Sequence, residues 1–332
     1  MEKRRNWLAA LESCLLQNGI VYKIIEPDLH FGEKSILIEV VNQNHSSILK
    51  IYSKKDVQLF EHEHKILSSL SKYLYQKHFY IPLIVPLESN IESAINEFKN
   101  LQEDDYYIIN MTRIDGNLLS NSSYSTFKSL EIMCKIVEGL ISTTIEMSSI
   151  KKNEGRLIHC QGIYSWVESD HSKIPYVTID NHFDEIELLV SKQSVLSKKK
   201  VFDLINRFHH LKQINSKLSY LAHNDIHIGN IIVYNQKVGL IDFACSYKTS
   251  LLADFGGVLA HVGNNYKDYI VYRASTFLHS LNIEPGYLID QISFYSIKRA
   301  LRRILFLEEA NCNRNSALWD IPISILTDNI SC

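Results

Sequence analysis

The chain has 332 residues, 45% of them hydrophobic, and its 35 Lys and Arg nearly balance 37 Asp and Glu, for a formal net charge of −2. That is enough apolar chain for a substantial core and two lobes, and the charge balance gives no sign of a protein that binds nucleic acid or a membrane surface. No apolar run approaches membrane-spanning length, and six cysteines without a C-x-x-C pair point to a reducing compartment, the cytoplasm.

In chain order, the first twenty residues combine a basic start with an apolar stretch, Trp7 to Leu16. Glu12 interrupts that stretch and no small-residue cleavage site follows, so an amphipathic helix is expected there rather than a signal peptide. Val21 to Ile25 and Ile36 to Val41 read as strands, joined by a segment ending in the short polar turn Phe31-Gly32-Glu33-Lys34-Ser35. A third strand, Ile48 to Tyr52, carries Lys50 among apolar and β-branched residues. Asp56 to Leu74 reads as a helix with Phe60, Leu67, Leu70 and Leu74 on one face. Glu63 lies on that face and Glu61 does not. A carboxylate on a buried stripe needs a cation, and Lys50 is the candidate; the alternative is a Glu at the solvated edge of the stripe. Tyr106 to Met111 reads as a strand that runs into Thr112-Arg113-Ile114-Asp115-Gly116.

The C-terminal half reads as mostly helical, over Phe127 to Met147, Val201 to Leu218, Tyr269 to Leu281 and Asp290 to Glu309. Residues 156–200 read as largely irregular, with turn signals at Asp170, His171, Pro175, Asp180 and Asn181; they suit a substrate-binding insertion or a plain connector. There are no repeats and no low-complexity tract.

The most informative stretch is His223-Asn224-Asp225-Ile226-His227-Ile228-Gly229-Asn230, followed by Ile241-Asp242-Phe243. Protein kinases use H-x-D-x-x-x-x-N and then D-F-G in this order, a base for the acceptor hydroxyl followed by two magnesium ligands. The intervening residues explain the spacing. Ile231 to Tyr234 and Val238 to Ile241 read as strands around a turn at Asn235-Gln236, and such a hairpin brings Asn230 and Asp242 together at its open end. Two oxygen donors there suit a hard cation that carries nucleotide phosphates.

These residues resemble the aminoglycoside phosphotransferase and choline kinase superfamily, whose usual loop is H-G-D-x-H-x-G-N, followed by an apolar hairpin and [IV]-D-[FW]. Asn224 replaces the usual Gly, a mild change because Asn tolerates unusual backbone dihedrals. Ala244 replaces the Gly of D-F-G. His227 stands where protein kinases place a Lys, and no A-P-E-like element follows Asp242, which favours a small-molecule kinase.

The resemblance implies an α+β, two-lobed, protein-kinase-like fold. Its N-terminal lobe, residues 1–111, is an antiparallel sheet with one helix; residues 112–332 form a mostly helical catalytic and substrate-binding lobe. Asp225 is then the base, and Asn230 and Asp242 bind Mg2+. Lys50, fixed by Glu63, contacts the phosphates of ATP or GTP. Ser35 belongs to the nucleotide loop, Thr112 and Ile114 to the adenine-binding hinge, and His223, His227 and Asp254 to the support of the catalytic loop, with Asp254 also a possible helix N-cap. The implied acceptor is a small molecule, an aminoglycoside or other amino-bearing antibiotic; choline, ethanolamine, homoserine or a sugar are alternatives, and a nucleotide-binding pseudokinase is the rival of another class. For a cationic acceptor, some of Glu308, Glu309, Asp320, Asp170 and Asp180 are expected to converge near Asp225, with Trp319 offering a ring face. The expected state is a monomer or homodimer, without nucleic-acid or membrane partners.

Overall fold

Alternation along the second strand sets the architecture of the N-terminal part. Ile36, Ile38 and Val40 are buried while Ser35, Leu37 and Glu39 between them are only half-buried, the period-two pattern of a strand with one face on a core. In the computed structural model, which describes residues 2–25, 35–42, 45–70, 79–102, 106–152, 179–213, 219–284, 286–314 and 316–328, the chain falls into two units. One comprises residues 1–75 and 80–115, the other residues 76–79 and 116–332.

The first unit is a four-stranded antiparallel sheet in the order β1 (Val21–Ile25), β2 (Ser35–Asn42), β3 (His45–Ser53), β4 (Tyr106–Thr112). Register places Lys50 opposite Leu37 on one side and Ile109 on the other. Helices α1 (Glu2–Gln17) and α3 (Ser89–Gln102) cover one face, packing Trp7, Leu11, Leu15, Ile91, Ile95 and Phe98 against Ile38, Leu49 and Ile51. Trp7, Phe98 and Tyr106 form an aromatic trio with ring centroids 5.0–5.1 Å apart. On β3, Lys50 and Tyr52 point the opposite way from Leu49 and Ile51 and are buried as well. Helix α2 (Val57–Leu70) supplies their partner, Glu63.

The sequence expectations hold for these strands and for α2, up to Leu70; Leu74 and the turn at 31–34 lie outside the described residues. Helix α3 carries a signal that was not read: Ile91, Ala94, Ile95 and Phe98 are buried at helical spacing.

The second unit is mostly helical. It contains α4 (Thr126–Lys152), α5 (Ile179–Lys192), α6 (Lys198–Arg207), α7 (Ala253–Val262), α8 (Lys267–Ser280), α9 (Leu288–Glu309) and α10 (Asp320–Asp328). Two small antiparallel sheets accompany them, β5 (Asn117–Leu118) with β7 (Ile231–Tyr234) and β8 (Lys237–Leu240), and β6 (Ser219–Ala222) with β9 (Tyr247–Ser250). Helices α7 and α9 meet at Gly256, where a Cβ would stand 2.5 Å from Tyr295 Cβ and 2.8 Å from the Ile292 carbonyl oxygen.

Two expectations need correction here. Of the stretch 156–200 that reads as irregular, the described part is mostly helical: α5 begins at Ile179 and α6 at Lys198, with Phe183 and Ile186 buried. Asp180 and Asn181, read as turn residues, stand in the first turn of α5, where such polar residues are at home. Residues 153–178 lie outside the described residues. Likewise the helix expected to run from Val201 to Leu218 ends at Arg207 and gives way to a 3-10 segment, His209–Gln213. Phe208 and Leu211 are both buried, and their three-residue spacing suits a 3-10 turn as well as an α-helix.

Candidate active site

The hairpin that carries the second half of the motif closes as the sequence requires. Tyr234 pairs with Lys237, so Asn235 and Gln236 form a two-residue turn with φ of 45° and 67°. Both residues are left-handed, as in the type I′ turn that matches strand twist. At the open end the Ile241 N–H donates to the Asn230 carbonyl oxygen at 3.0 Å, which sets Asn230 beside the residue preceding Asp242. Asp242 itself has φ 64°, a left-handed conformation that costs a non-glycine residue about 1–3 kcal/mol and tends to persist where function requires it.

The loop before the hairpin hangs from one buried carboxylate. Asp254, in the first turn of α7, accepts from the backbone N–H groups of His223 (2.8 Å) and Asn224 (2.7 Å) and from the Tyr220 hydroxyl (2.5 Å). It is not the N-cap, a position taken by Leu252 without a side-chain bond. Its side chain is spent on the loop. Burial raises its pKa to about 6 against the opposing effect of these three bonds. Asn224 has φ 60°, which accounts for a residue tolerant of left-handed backbone at this point.

The His223 imidazole donates through Nε2 to the Ile241 carbonyl at 3.0 Å and packs edge-on against Phe243, tying loop to hairpin. Burial lowers its pKa to about 4. His227 accepts the Gly229 N–H at Nδ1, 3.0 Å, which leaves Nε2 as the protonated nitrogen of the neutral ring. That nitrogen lies 3.7 Å from Asp225 Oδ1. Desolvation, with Asp242 opposing and Arg303 adding to it, lowers its pKa to about 4. A Cβ on residue 229 would stand 2.9 Å from this ring, so a side chain there would displace the imidazole.

Asp225 is largely enclosed, with 17% of its side chain exposed, and the Arg299 guanidinium of α9 lies directly against its Oδ1. The Asn230 side-chain amide donates through Nδ2 to the Asp225 carbonyl oxygen at 3.0 Å. This leaves its Oδ1 as the donor atom for a cation. Together with the Asp242 carboxylate it makes an all-oxygen pair, the chemistry Mg2+ takes when nucleotide phosphates and water complete its shell. The donor set therefore fits that ion.

Arg299 was not singled out in the sequence. The signal was available: Lys298, Arg299, Arg302 and Arg303 interleave with Ile297, Ala300, Leu301 and Ile304 on a helix whose apolar residues are buried. Cations at such positions must face partners. Lys298 Nζ lies 2.7 Å from Glu185 Oε2, 2.5 Å from His182 Nδ1 and 3.0 Å from the Tyr247 hydroxyl. Burial and the neighbouring Arg302 lower its pKa to about 8. Arg302 bonds the same Glu185. Desolvation, then Arg302 and Arg303, hold Arg299 down at about 10, so it is cationic at neutral pH.

In the first unit, Lys50 Nζ is 2.8 Å from Glu63 Oε2, with 7% and 1% of the two side chains exposed. The Tyr52 hydroxyl donates to the same carboxylate oxygen, and its pKa is pushed far up, by burial and then by the Glu63 charge. Glu61 is exposed, as the helix phasing requires. Ser35 is the first residue of β2, opposite Tyr52, rather than part of a loop. The Thr112 N–H donates to the Leu83 carbonyl at 2.8 Å and its hydroxyl accepts from the Leu83 N–H at 2.9 Å. Ile114 lies half-buried in the segment after β4.

The acidic cluster expected beside Asp225 does not form among the described residues. Glu308 accepts from Ser194 and pairs with Arg314, and Glu309 and Asp320 are exposed. Trp319 is buried, donating to the Asn313 carbonyl. Asp170 and the Asp180 side chain lie outside the described residues. The charged side chains recorded against Asp225 are Arg299 and, when protonated, His227.

A family model, described as the phosphotransferase enzyme family, matches residues 40–275. The chain belongs to this family. It is thus a small-molecule phosphotransferase, with the kinase-like α+β fold expected from the motif. No curated protein matches the sequence, and the solved structures that resemble it are distant. A thermostable mutant of aminoglycoside phosphotransferase APH(4)-Ia, in a ternary complex with AMP-PNP and hygromycin B, has a TM-score of 0.61 at 10% identity, over 97% of this chain and 98% of that one. Macrolide 2'-phosphotransferase MphH from Brachybacterium faecium gives 0.56 at 11%, over 96% and 98%. Choline kinase LicA from Streptococcus pneumoniae gives 0.57 at 12%, over 96% of each chain. At such identities the likeness speaks for the fold alone. Among the described residues, no helix of this family member is long and apolar enough to cross a membrane.

Proposed function

We propose that the protein is a magnesium-dependent kinase that moves the γ-phosphoryl group of ATP or GTP to a hydroxyl of a small molecule. The observation that carries this reading is the hairpin and its brace: Asn230 and Asp242 at the open end, and the Asp225 loop fixed by Asp254. Asp225 orients the acceptor hydroxyl and takes its proton as the new O–P bond forms and the bond from the γ-phosphorus to the β–γ bridging oxygen breaks, which releases ADP or GDP. The neutral His227 ring stands beside the same carboxylate, its Nε2 3.7 Å from Oδ1. Asn230 and Asp242 would hold Mg2+, which when bound neutralises charge on the phosphates. Lys50 is the phosphate-contacting cation and Glu63 keeps it in place. Thr112 and Ile114 form the adenine-facing segment, through backbone groups other than the engaged Thr112 N–H.

The AMP-PNP in the hygromycin B complex of the distant relative supports a nucleotide donor here. An amino-bearing antibiotic, choline, ethanolamine, homoserine and a sugar are the acceptors to compare. Free thiols at Cys14, Cys134, Cys245 and Cys312 support a cytoplasmic setting. The test is magnesium-dependent ADP or GDP release by the purified chain over a panel of amino alcohols, amino sugars, sugars and antibiotics. The expected result is acceptor-dependent release that Asp225→Asn removes. Nucleotide binding without turnover on any acceptor, unchanged in Asp225→Asn, would favour a pseudokinase.

A further inference from the structure

We infer that the acceptor carries an oxyanion, a carboxylate, sulfate or phosphate group, which the arginines of α9 receive beside Asp225. This rests on the phosphotransferase reading above and names the acceptor class for it. The Arg299 guanidinium already lies on the carboxylate that the acceptor hydroxyl must reach. One helical turn on, Arg303 projects from the same side of α9. The His227 ring lies against Asp225 and stands 5.6 Å from the His261 ring. Both imidazoles are held neutral by burial, so they contribute hydrogen-bonding nitrogens and no positive charge.

Lys298 and Arg302 share Glu185, while Arg299 is the cation placed directly on Asp225. When an acceptor hydroxyl engages Asp225, the half-buried Arg299 gives up part of its ion pair with that carboxylate. An oxyanion on the acceptor restores that pairing in bidentate geometry. A polycationic acceptor would do the opposite, since it would bring like charge against Arg299.

The experiment uses the full chain and acceptors matched in skeleton but not in charge: glucosamine, glucose, glucuronate and glucose 6-phosphate, and ethanolamine, ethylene glycol and glycolate. Magnesium-dependent ADP release should favour the anionic members, with KM rising as salt is added. Arg303→Gln should raise KM for the active acceptor by on the order of tenfold while kcat changes less, and Arg303→Lys should recover part of the loss. Arg299→Gln is the stronger variant, and Arg303→Gln covers the case in which it fails to fold. In parallel, inorganic sulfate is titrated calorimetrically into the chain with and without Mg–AMP-PNP. Saturable binding that survives Lys50→Ala but weakens in Arg303→Gln supports the proposal. Preferred turnover of a neutral or cationic acceptor overturns it and leaves the kinase reading intact, as does a fall in kcat alone. Sulfate binding that is absent, or is lost in Lys50→Ala and unchanged in Arg303→Gln, overturns it even where no acceptor has turned over. A chain that binds sulfate at Arg303 but never a nucleotide counts against the kinase reading instead.

Discussion

Asp225 is held by Arg299 at its carboxylate and the Asn230 amide at its carbonyl, with the His227 ring beside the carboxylate. Exchange of its carboxylate for an amide keeps the shape and removes the proposed base. Asp225→Asn should therefore bind nucleotide nearly as well as wild type and lower kcat by roughly 10²–10⁴; turnover within a few-fold of wild type in a steady-state assay would show that the assignment is wrong. Lys50 and Glu63 make the complementary case. Truncating one member of a buried pair leaves the other charge unpaired, at about 3–5 kcal/mol, so Glu63→Ala tests stability more than function. Glu63→Gln keeps the volume and should weaken nucleotide binding, while the exposed Glu61→Gln should do little. Fluorescence titration of both variants with a nucleotide analogue checks this, and the reverse ranking would mean that α2 has been misphased.

At the scale of elements, the packing of α7 against α9 positions both sides of the candidate site. One helix carries Asp254 and the other Arg299. Gly256→Ala would drive a methyl group into Tyr295 and the Ile292 backbone, which must move the helices apart, since backbone yields less readily than a flexible side chain. Such overpacking costs about 1–3 kcal/mol, and the displacement should lower kcat as well as thermal stability; Gly257→Ala, with open space around it, is the control. A melt and an assay on both variants would decide it, and equal behaviour of the two would refute the close approach. In the first unit, Phe98→Ala removes a fully buried ring from the α1–α3–sheet core and should cost about 3–5 kcal/mol.

For the whole molecule, two buried histidines, His182 and His223, and two half-buried ones, His227 and His261, set the pH dependence. Burial lowers the pKa of His223, His227 and His261 from 6.5 to about 4 and that of His182 to about 2. Below pH 6.5 the unfolded chain takes up protons that the folded chain resists, so this stability is complete above pH 6.5 and is lost as pH falls toward 4. Asp254 acts in the opposite sense. Its pKa is raised from 3.8 to about 6, so the folded chain keeps a proton that the unfolded chain releases, and its contribution fades as pH rises through that interval. One group opposes four, so urea midpoints should fall between pH 7 and 4.5, and more steeply in Asp254→Asn. A midpoint that is flat with pH would contradict the burial of these rings.

The sequence by itself determined the strands around Lys50, the helix face that carries Glu63, the two-residue hairpin turn and the order of Asp225, Asn230 and Asp242. All of these follow from contacts within a few residues, where periodicity and spacing are direct physical constraints. The resemblance also implied that Asp254 belongs with the loop at 223–230; the tertiary structure supplied the reason, since the donors it receives lie some thirty residues away. Tertiary structure alone decided that Arg299 meets Asp225 across 74 residues, that Tyr52 shares Glu63 with Lys50, and that Lys298 and Arg302 converge on Glu185. A local pattern shows that a charge is buried. Only the packing of α9 against the loop and α5 shows which opposite charge it meets, and with it that, among the described residues, Arg299 stands on Asp225 where an acidic cluster was expected.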